Sequence, residues 1–173
     1  MMNEGIGQEI SFDTVYNTLF PIIYRITYRI VGDIGIAEDV CQEAFLRYYN
    51  RGSPLPDLEQ TKYWLIRVAK NLSYNYEAKK GRQRKLLARL KDVTLKYTES
   101  GEADVIKKET GRIVREALEK LPYKLRVVLV LKEYGKLNYK QIGKIVGISE
   151  GNVKVRVFRG REKLSQLLRG KLK

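Results

Sequence analysis

The sequence predicts an all-α protein made of two small helical domains joined by a flexible linker. Apolar residues recur at intervals of three and four along most of the chain, as they do in amphipathic helices. Strand patterns are scarce, and the β-branched run at 127–131 lies between helical segments. Between 79 and 105 this periodicity fades into polar and charged residues, which indicates a mobile linker. We therefore place the domains at residues 1–83 and 109–173, with the linker at 84–108.

The first domain is predicted to contain three helical segments. The first follows a Ser11 cap and runs through 12–30, where Pro21 is expected to kink it or divide it in two. The second runs through about 36–50 and the third through about 60–79. The inward stripes of the second and third segments are Ala37, Val40, Cys41, Ala44, Phe45 and Tyr48, and Leu65, Val68, Ala69 and Leu72.

The second domain is predicted to begin with a helix and to end in a helix-turn-helix at 138–168. Asn138 can cap the first helix of that motif, and Gln141 three residues later fits a capping box. Gly147 supplies the left-handed residue just past this helix, and Ser149 can cap the next one. The apolar stripe of the domain's opening helix is Ile113, Val114, Ala117, Leu118 and Leu121, which Pro122 follows.

The second helix of this motif has two contrasting faces. Its apolar stripe can pack against the domain, and the basic stripe one residue earlier can meet phosphates and base edges of DNA. A solvated basic helix is the alternative interpretation, but the capped helix and glycine turn before it favour DNA binding. The two stripes are Val153, Val157, Gly160 and Leu164, and Asn152, Arg156, Arg159 and Lys163.

Charge is unevenly distributed along the 173 residues. The formal net charge is +14 and the estimated pI is 9.8, an excess that attracts polyanions such as nucleic acid. Residues 1–66 carry a net charge of −4, whereas residues 67–173 carry +18. An acidic first part and a basic second part indicate two kinds of partner.

The composition also excludes several classes of function. Cys41 is the only cysteine and histidine does not occur, so an internal disulfide and a Ser-His or Cys-His nucleophile pair are impossible, and a zinc site formed by this chain alone is very unlikely. Cys41 lies on an apolar stripe and is expected to be a small buried hydrophobe. The longest uninterrupted apolar run is 127–131, and the N-terminus lacks the pattern of a signal peptide. We expect a cytoplasmic protein that is not an enzyme, with no membrane insertion, metal or cofactor.

Four clusters in order resemble the bacterial sigma-70 family, specifically its extracytoplasmic-function (ECF) factors. They are AEDVCQEAFLRYY at 37–49, YWLIRVAKNL at 63–72 followed by a basic run, the Leu121–Pro122 pair, and GNVKVRVFRGREKL at 151–164. The resemblance covers about 12–168. It implies a three- or four-helix bundle of sigma region 2 and a helix-turn-helix of sigma region 4, joined by a linker. It also implies a promoter-specificity subunit that binds core RNA polymerase and recognises promoter DNA at the −10 and −35 elements.

The resemblance assigns core-polymerase binding to one face of the second helix. An acidic, amide-bearing face with a central leucine suits docking to a basic protein helix. An ordinary solvated helix face is the alternative interpretation. The residues of this face are Asp39, Gln42, Glu43 and Leu46.

The resemblance assigns promoter contacts to two further helices. The third helix mixes aromatic side chains, which stack on unpaired bases, with cations that follow the backbone. Asn75 and Ala78 depart from residues frequent in the family, which leaves the −10 sequence preference open, and the role of Phe158 is open as well. The −10 set is Tyr63, Arg67, Lys70, Asn71, Tyr74, Asn75, Lys79 and Lys80, and the −35 set is Ser149, Gly151, Asn152, Lys154, Val155, Arg156, Arg159 and Arg161.

Other functions fit the sequence less well. The principal alternative is an autonomous helix-turn-helix regulator, which would need dimer symmetry or a sensor domain that residues 12–79 do not resemble. An enzyme acting on nucleic acid would need a carboxylate cluster or a placed nucleophile, and a nucleoid coat protein does not fit the acidic front. The resemblance further implies an anti-sigma factor as a partner.

Overall fold

The computed structural model describes residues 9–90 and 105–172. Within the second range, side chains are described from residue 109 onward. These residues form seven α-helices and no strand, which confirms the all-α prediction. The helices are α1 (Phe12–Val31), α2 (Ile34–Tyr49), α3 (Leu58–Arg89), α4 (Val105–Glu119), α5 (Tyr123–Glu133), α6 (Tyr139–Val146) and α7 (Glu150–Leu168).

Helices α1, α2 and α3 pack on one another as the first bundle. Ser11 caps α1 by accepting the N–H of Thr14 at 3.2 Å, and Gly32 ends the helix in a left-handed conformation with φ of 72°. The predicted division at Pro21 is wrong, because α1 is a single helix across it. Pro21 is exposed, so the carbonyl of Asn17, which loses its usual partner, lies on the solvent side of the helix.

The core of the first bundle contains the predicted apolar stripes, with Cys41 fully buried. The Cys41 thiol donates to the Thr27 hydroxyl at 3.7 Å, and Ser73 donates its hydroxyl proton to the Ala69 carbonyl at 2.7 Å. Thr27 and Ser73, which are both buried, are therefore satisfied within the bundle. Tyr48, Val68 and Leu72 are only partly buried at the edge of this core.

Burial should make Cys41 inert toward thiol reagents in the folded protein. Burial raises the pKa of the Cys41 thiol to about 11, and the hydrogen bond to Thr27 offsets only part of that rise. Because the raised pKa favours the neutral thiol, its contribution to stability is present below about pH 9 and lost as the pH rises toward 11. We expect no reaction with a chromogenic disulfide reagent at pH 8 and one thiol per chain after denaturation. Rapid modification before unfolding would contradict this burial.

Helix α3 extends ten residues beyond its predicted end and finishes at Arg89 instead of Lys79. Residues 84–89 and 105–108 of the predicted linker are therefore helical, and 91–104 lie outside the described residues. The apolar periodicity fades after Ser73 because the rest of α3 has no core to face. Its composition of Lys, Arg, Gln, Leu and Ala still favours a helix without burial.

Helices α4 to α7 form the second bundle, with α5 at its centre. Val127–Leu131 is buried in α5. The caps of the helix-turn-helix are also confirmed: Asn138 accepts the Gln141 N–H at 2.8 Å, and the Gln141 side chain accepts the Asn138 N–H at 2.9 Å. Gly147 has φ of 73°, and the Ser149 hydroxyl accepts the Asn152 N–H at 3.2 Å.

The turn between α6 and α7 depends on a glycine that the sequence analysis did not single out. A Cβ at Gly143 would lie 2.6 Å from the Ile148 carbonyl oxygen and 3.6 Å from Val153. No side chain fits at that distance from a backbone atom, so glycine is required for α6 to approach the turn. This close approach sets the orientation of α7.

The two bundles meet along a seam in which α1 packs on α4 and α5. Apolar side chains of both bundles belong to one buried cluster, and several contacts across the seam are polar. Arg126 pairs with Glu77 at 3.3 Å, the Arg115 guanidinium donates to the Tyr28 hydroxyl at 2.8 Å, and Arg29 lies over the Tyr134 ring. The Nε atoms of Arg29 and Arg126 and the Tyr123 hydroxyl are buried there without a hydrogen-bond partner among the described residues.

Candidate polymerase and nucleic-acid interfaces

The structure places the four predicted polymerase-binding residues on one outward face of α2. Asp39 and Gln42 are exposed, Glu43 is half-buried, and Leu46 has 55 % of its surface exposed. They lie opposite the buried stripe of the same helix, so none is needed for the core. Glu43 forms an ion pair with Arg47 at 2.7 Å, so Asp39 is the carboxylate of this face that is available to a partner.

Aromatic rings border this face, a feature that the sequence analysis missed. Tyr49 is 67 % exposed beside Leu46, and its ring contacts Phe12 of α1 at 5.2 Å between centroids. The i, i+4 spacing of aromatic residues along α1 was the available signal. The α1 rings that stack in succession are Phe12, Tyr16, Phe20, Tyr24 and Tyr28.

Most of the −10 candidates occupy the face of α3 that points away from the buried stripe of Leu65, Ala69 and Ser73. Lys80 is the exception, because it continues the line of Ala69 and Ser73 and lies near Glu119 of α4. Most of them are accessible to a strand of DNA. The exposed members are Arg67, Asn71, Tyr74, Asn75 and Lys79, and the half-buried ones are Tyr63, Lys70 and Lys80.

Two contacts hold this surface in place. Burial, with the nearby Arg67 charge, lowers the pKa of Lys70, and the Lys70 ammonium donates to the Asn71 side-chain oxygen at 3.2 Å. Arg51 from the preceding loop lies over the Trp64 ring at 5.2 Å. Trp64 is partly buried and packs on the core, as expected for its size. The loop and helix therefore form one continuous surface.

The −35 candidates separate into two groups on α7. Both groups lie outside the apolar stripe of Val153, Val157 and Gly160, which is buried against the bundle. Asn152, Val155 and Arg159 are exposed and Arg156 is half-buried, along an arc that faces outward. A Cβ at Gly151 would meet nothing within 4 Å, so the protein itself does not require glycine there. Ser149 serves as the cap of the helix.

Lys154 and Arg161 lie on another flank of α7, where they make intramolecular ion pairs. Lys154 is 3.6 Å from Glu150 and lies over the Tyr139 ring at 5.8 Å. Arg161 pairs with Glu133 of α5, and this hydrogen bond raises the pKa of Arg161. Both residues would have to leave these partners to contact DNA.

An apolar groove of about 230 Å³ opens on the second bundle between α4, α5 and α7. No pattern in the sequence identified it, because its walls come from three helices. Its lining includes Val114, Leu118, Leu129, Val130, Tyr134 and Leu164.

Neither a metal-binding cluster nor a membrane-spanning helix occurs among residues 9–90 and 105–172. In this part of the chain no group of three or more Cys, Asp or Glu side chains is placed to hold a metal ion. No helix in the same residues is long and apolar enough to cross a membrane.

Comparison with known proteins identifies both bundles. Residues 15–83 match sigma-70 region 2, and residues 111–164 match sigma-70 region 4. The chain is 33 % identical over 171 residues to the ECF RNA polymerase sigma factor SigW of Bacillus subtilis, covering 94 % of this chain and 91 % of that protein. It is 29 % identical to the RNA polymerase sigma-H factor of Pseudomonas aeruginosa, over 94 % of this chain and 88 % of the other.

Solved structures share the fold. The sigma factor RpoE of Bartonella quintana, solved with the anti-sigma factor NepR, superposes with a TM-score of 0.66 at 21 % identity, over 92 % of this chain and 97 % of that one. CnrH, solved with the cytosolic domain of CnrY, gives a TM-score of 0.65 at 20 % identity, over 91 % and 86 %. With region 2 in the first bundle, region 4 in the second and ECF relatives along nearly its whole length, the chain belongs to the sigma-70 family, in its extracytoplasmic-function group.

Proposed function

We propose that this chain is a promoter-specificity subunit that binds core RNA polymerase through α2 and reads promoter DNA through α3 and α7. The observation that carries the proposal is the separation of three exposed surfaces on a chain whose two bundles match sigma regions 2 and 4. The α2 surface is acidic and apolar, whereas the other two are basic. One partner is therefore a protein and the other a polyanion.

The α3 surface suits a DNA strand that has been opened. Exposed Tyr74 offers a ring on which a base can stack, and Arg67 offers a charge for the backbone. Asn71 and Asn75 present amide groups beside them that can hydrogen-bond to base edges. Extruding a base costs a few kcal/mol, which stacking and hydrogen bonds at this surface would offset.

The α7 surface suits the major groove of duplex DNA. The N-terminal turns of a recognition helix meet base edges, and its later cations meet phosphates. Gly151, Asn152, Val155 and Arg156 lie in the first two turns, and the open space around Gly151 lets a duplex approach closely. Arg159 follows one turn later as a phosphate contact.

The proposal also covers the setting in which the chain acts. Such a subunit works in the cytoplasm beside RNA polymerase, and it performs no covalent chemistry itself. An anti-sigma partner belongs to this proposal, since the similar sigma factor of Bartonella quintana was solved with such a protein. An autonomous regulator does not fit, because the acidic α2 face and region 2 would have no role in it.

Reversing the charge of the α2 face should weaken the complex with core polymerase. We expect Asp39→Lys combined with Gln42→Ala to raise the dissociation constant by about tenfold or more, since like charges would then oppose a basic partner surface. Both residues are exposed, so the fold should survive. Binding of labelled protein to purified core enzyme, followed by fluorescence anisotropy, measures the effect.

The control for this variant is Glu59→Lys with Gln60→Ala, which makes the same charge change at exposed positions of α3. It should bind core polymerase like the unmodified chain. Equal affinity of the α2 double variant and the unmodified chain would remove α2 from the polymerase interface.

A further inference from the structure

The C-terminal part of α3 extends beyond the first bundle as a strongly basic rod. The buried residues of α3 end at Ser73, and from Arg82 onward every side chain except the half-buried Leu87 is exposed. Residues 79–90 contain six cationic and no acidic side chains. The segment has no core to pack against, so burial accounts neither for its helical conformation nor for its uniformly positive charge.

Three of these cations continue the face that carries the −10 candidates. At 100° per residue, Arg82, Lys85 and Arg89 fall within an arc about 100° wide that also holds Arg67 and Asn71. The arc lies opposite the buried stripe of α3. All five side chains are exposed.

The seam between the two bundles leaves this arc open. Glu77, which pairs with Arg126 of α5, lies on the adjacent flank of α3 outside the arc. Tyr74 lies at the edge of the arc and contacts Tyr123 at 5.7 Å between ring centroids, yet 54 % of its surface stays exposed. The surface is therefore accessible in the arrangement that the structure shows.

The like charges on the rod repel one another, and an anion that neutralises them would stabilise the helix. Arg82 and Lys85 are three residues apart and Lys85 and Arg89 are four apart, so both pairs are neighbours on one helix face and repel. Cations near the helix C-terminus interact favourably with its dipole, but this applies only to the last turn. A line of phosphates would relieve the repulsion along the whole row.

We propose that Arg82, Lys85 and Arg89 form a phosphate-binding row for the duplex DNA between the two promoter elements. The inference rests on the proposed function, because it takes its starting point from the −10 surface. With a rise of 1.5 Å per residue, Arg82 lies about 10 Å and Arg89 about 21 Å beyond Asn75 along the helix axis. At 3.4 Å per base pair, the row spans about three to six base pairs past the −10 contact.

Chain direction places the row on the upstream side of the −10 element. The C-terminal end of α3 leads toward residues 111–164, the region 4 bundle that binds the −35 element in the proposal. The row would contact phosphates. Guanidinium and ammonium groups along one straight helix face recognise the charge of the DNA backbone and not the identity of the bases. The row therefore adds affinity without adding sequence preference.

The test is the salt dependence of promoter binding by holoenzyme that carries Arg82→Ala, Lys85→Ala and Arg89→Ala together. Alanine keeps the helix, which circular dichroism verifies. Each lost phosphate contact reduces the slope of log K against log salt by about 0.9, so the triple variant should lose about 2.7 from it. Between 50 and 200 mM salt, the unmodified holoenzyme should lose roughly 40-fold more affinity than the variant.

Two controls locate the effect. Arg25→Ala, Lys120→Ala and Lys124→Ala remove the same charge at exposed positions elsewhere and should leave the slope unchanged. Neutral methylphosphonate linkages in the spacer, three to six base pairs upstream of the −10 element, should weaken the unmodified holoenzyme but not the triple variant.

The outcomes separate this proposal from the proposed function. If the triple variant keeps the full slope, or if the neutral linkages weaken both proteins equally, the row does not bind the spacer. Discrimination between intact and altered −10 and −35 elements would then still support the promoter function. If the unmodified holoenzyme does not discriminate between promoters, the proposed function itself fails.

Discussion

Replacing Arg156 by alanine should lower transcription from a promoter with an intact −35 element by about tenfold to a hundredfold. Arg156 lies in the second turn of α7 beside the buried Val153 and Val157, so its backbone is held firmly by the bundle. A bidentate contact from arginine to guanine contributes about 1–3 kcal/mol of discrimination, and 1.4 kcal/mol is tenfold. The variant should therefore lose most of its preference for the intact element.

The matched comparison is Arg159→Ala, which removes an exposed cation one turn later on the same helix. As a phosphate contact, Arg159 should weaken binding to all sequences about equally and reduce the salt slope by about 1. Multiple-round transcription with purified core polymerase on intact and altered −35 elements measures both variants. If the Arg156→Ala protein transcribes the two templates in the same ratio as the unmodified chain does, then Arg156 reads no base.

Replacing Glu77 by alanine should separate the two bundles. Arg126 has only 6 % of its side chain exposed, and its pair with Glu77 at 3.3 Å is its carboxylate contact in the seam. Removing one partner of a buried ion pair costs about 3–5 kcal/mol, because the other charge is left buried without compensation. Three buried polar atoms at the seam already lack partners among the described residues, so the added loss should expose Arg126 to water.

Energy transfer between dyes on Asn17→Cys and Gln166→Cys would report the separation. Both positions are exposed, one on α1 and one on α7, and buried Cys41 should not be labelled. We expect lower transfer efficiency in the Glu77→Ala protein. Glu77→Gln keeps an acceptor for Arg126 and should give an intermediate value, and Glu162→Ala should match the parent. Unchanged efficiency in Glu77→Ala would show that this ion pair does not hold the seam.

Features of the fold that depend on local sequence could be predicted. The Asn138 capping box, the Gly147 left-handed residue and the Ser149 cap each involve residues three apart or fewer, and all occur in the structure. The extension of α3 to Arg89 could not be predicted, because apolar periodicity disappears where a helix leaves its core. Whether Pro21 would divide α1 could not be predicted, since its exposure depends on how α1 packs.

The candidate surfaces could be predicted only as faces of single helices. The α2 residues and most of the α3 residues share the expected outward faces, because helical periodicity determines which side of a helix each residue occupies. Contacts between helices that are far apart in the sequence produce no periodic pattern from which they could be predicted. Glu133 with Arg161 and Glu77 with Arg126 are separated by 28 and 49 residues, so their pairing depends on how the helices assemble.

Run-off transcription with purified core polymerase tests the central claim most directly. Core enzyme would be assayed with and without this chain on a library of promoter fragments, and the start sites would be mapped. The account predicts that the chain directs initiation to a defined set of fragments sharing two upstream elements, and that Asp39→Lys with Gln42→Ala lowers this activity. Start sites identical with and without the chain would contradict it.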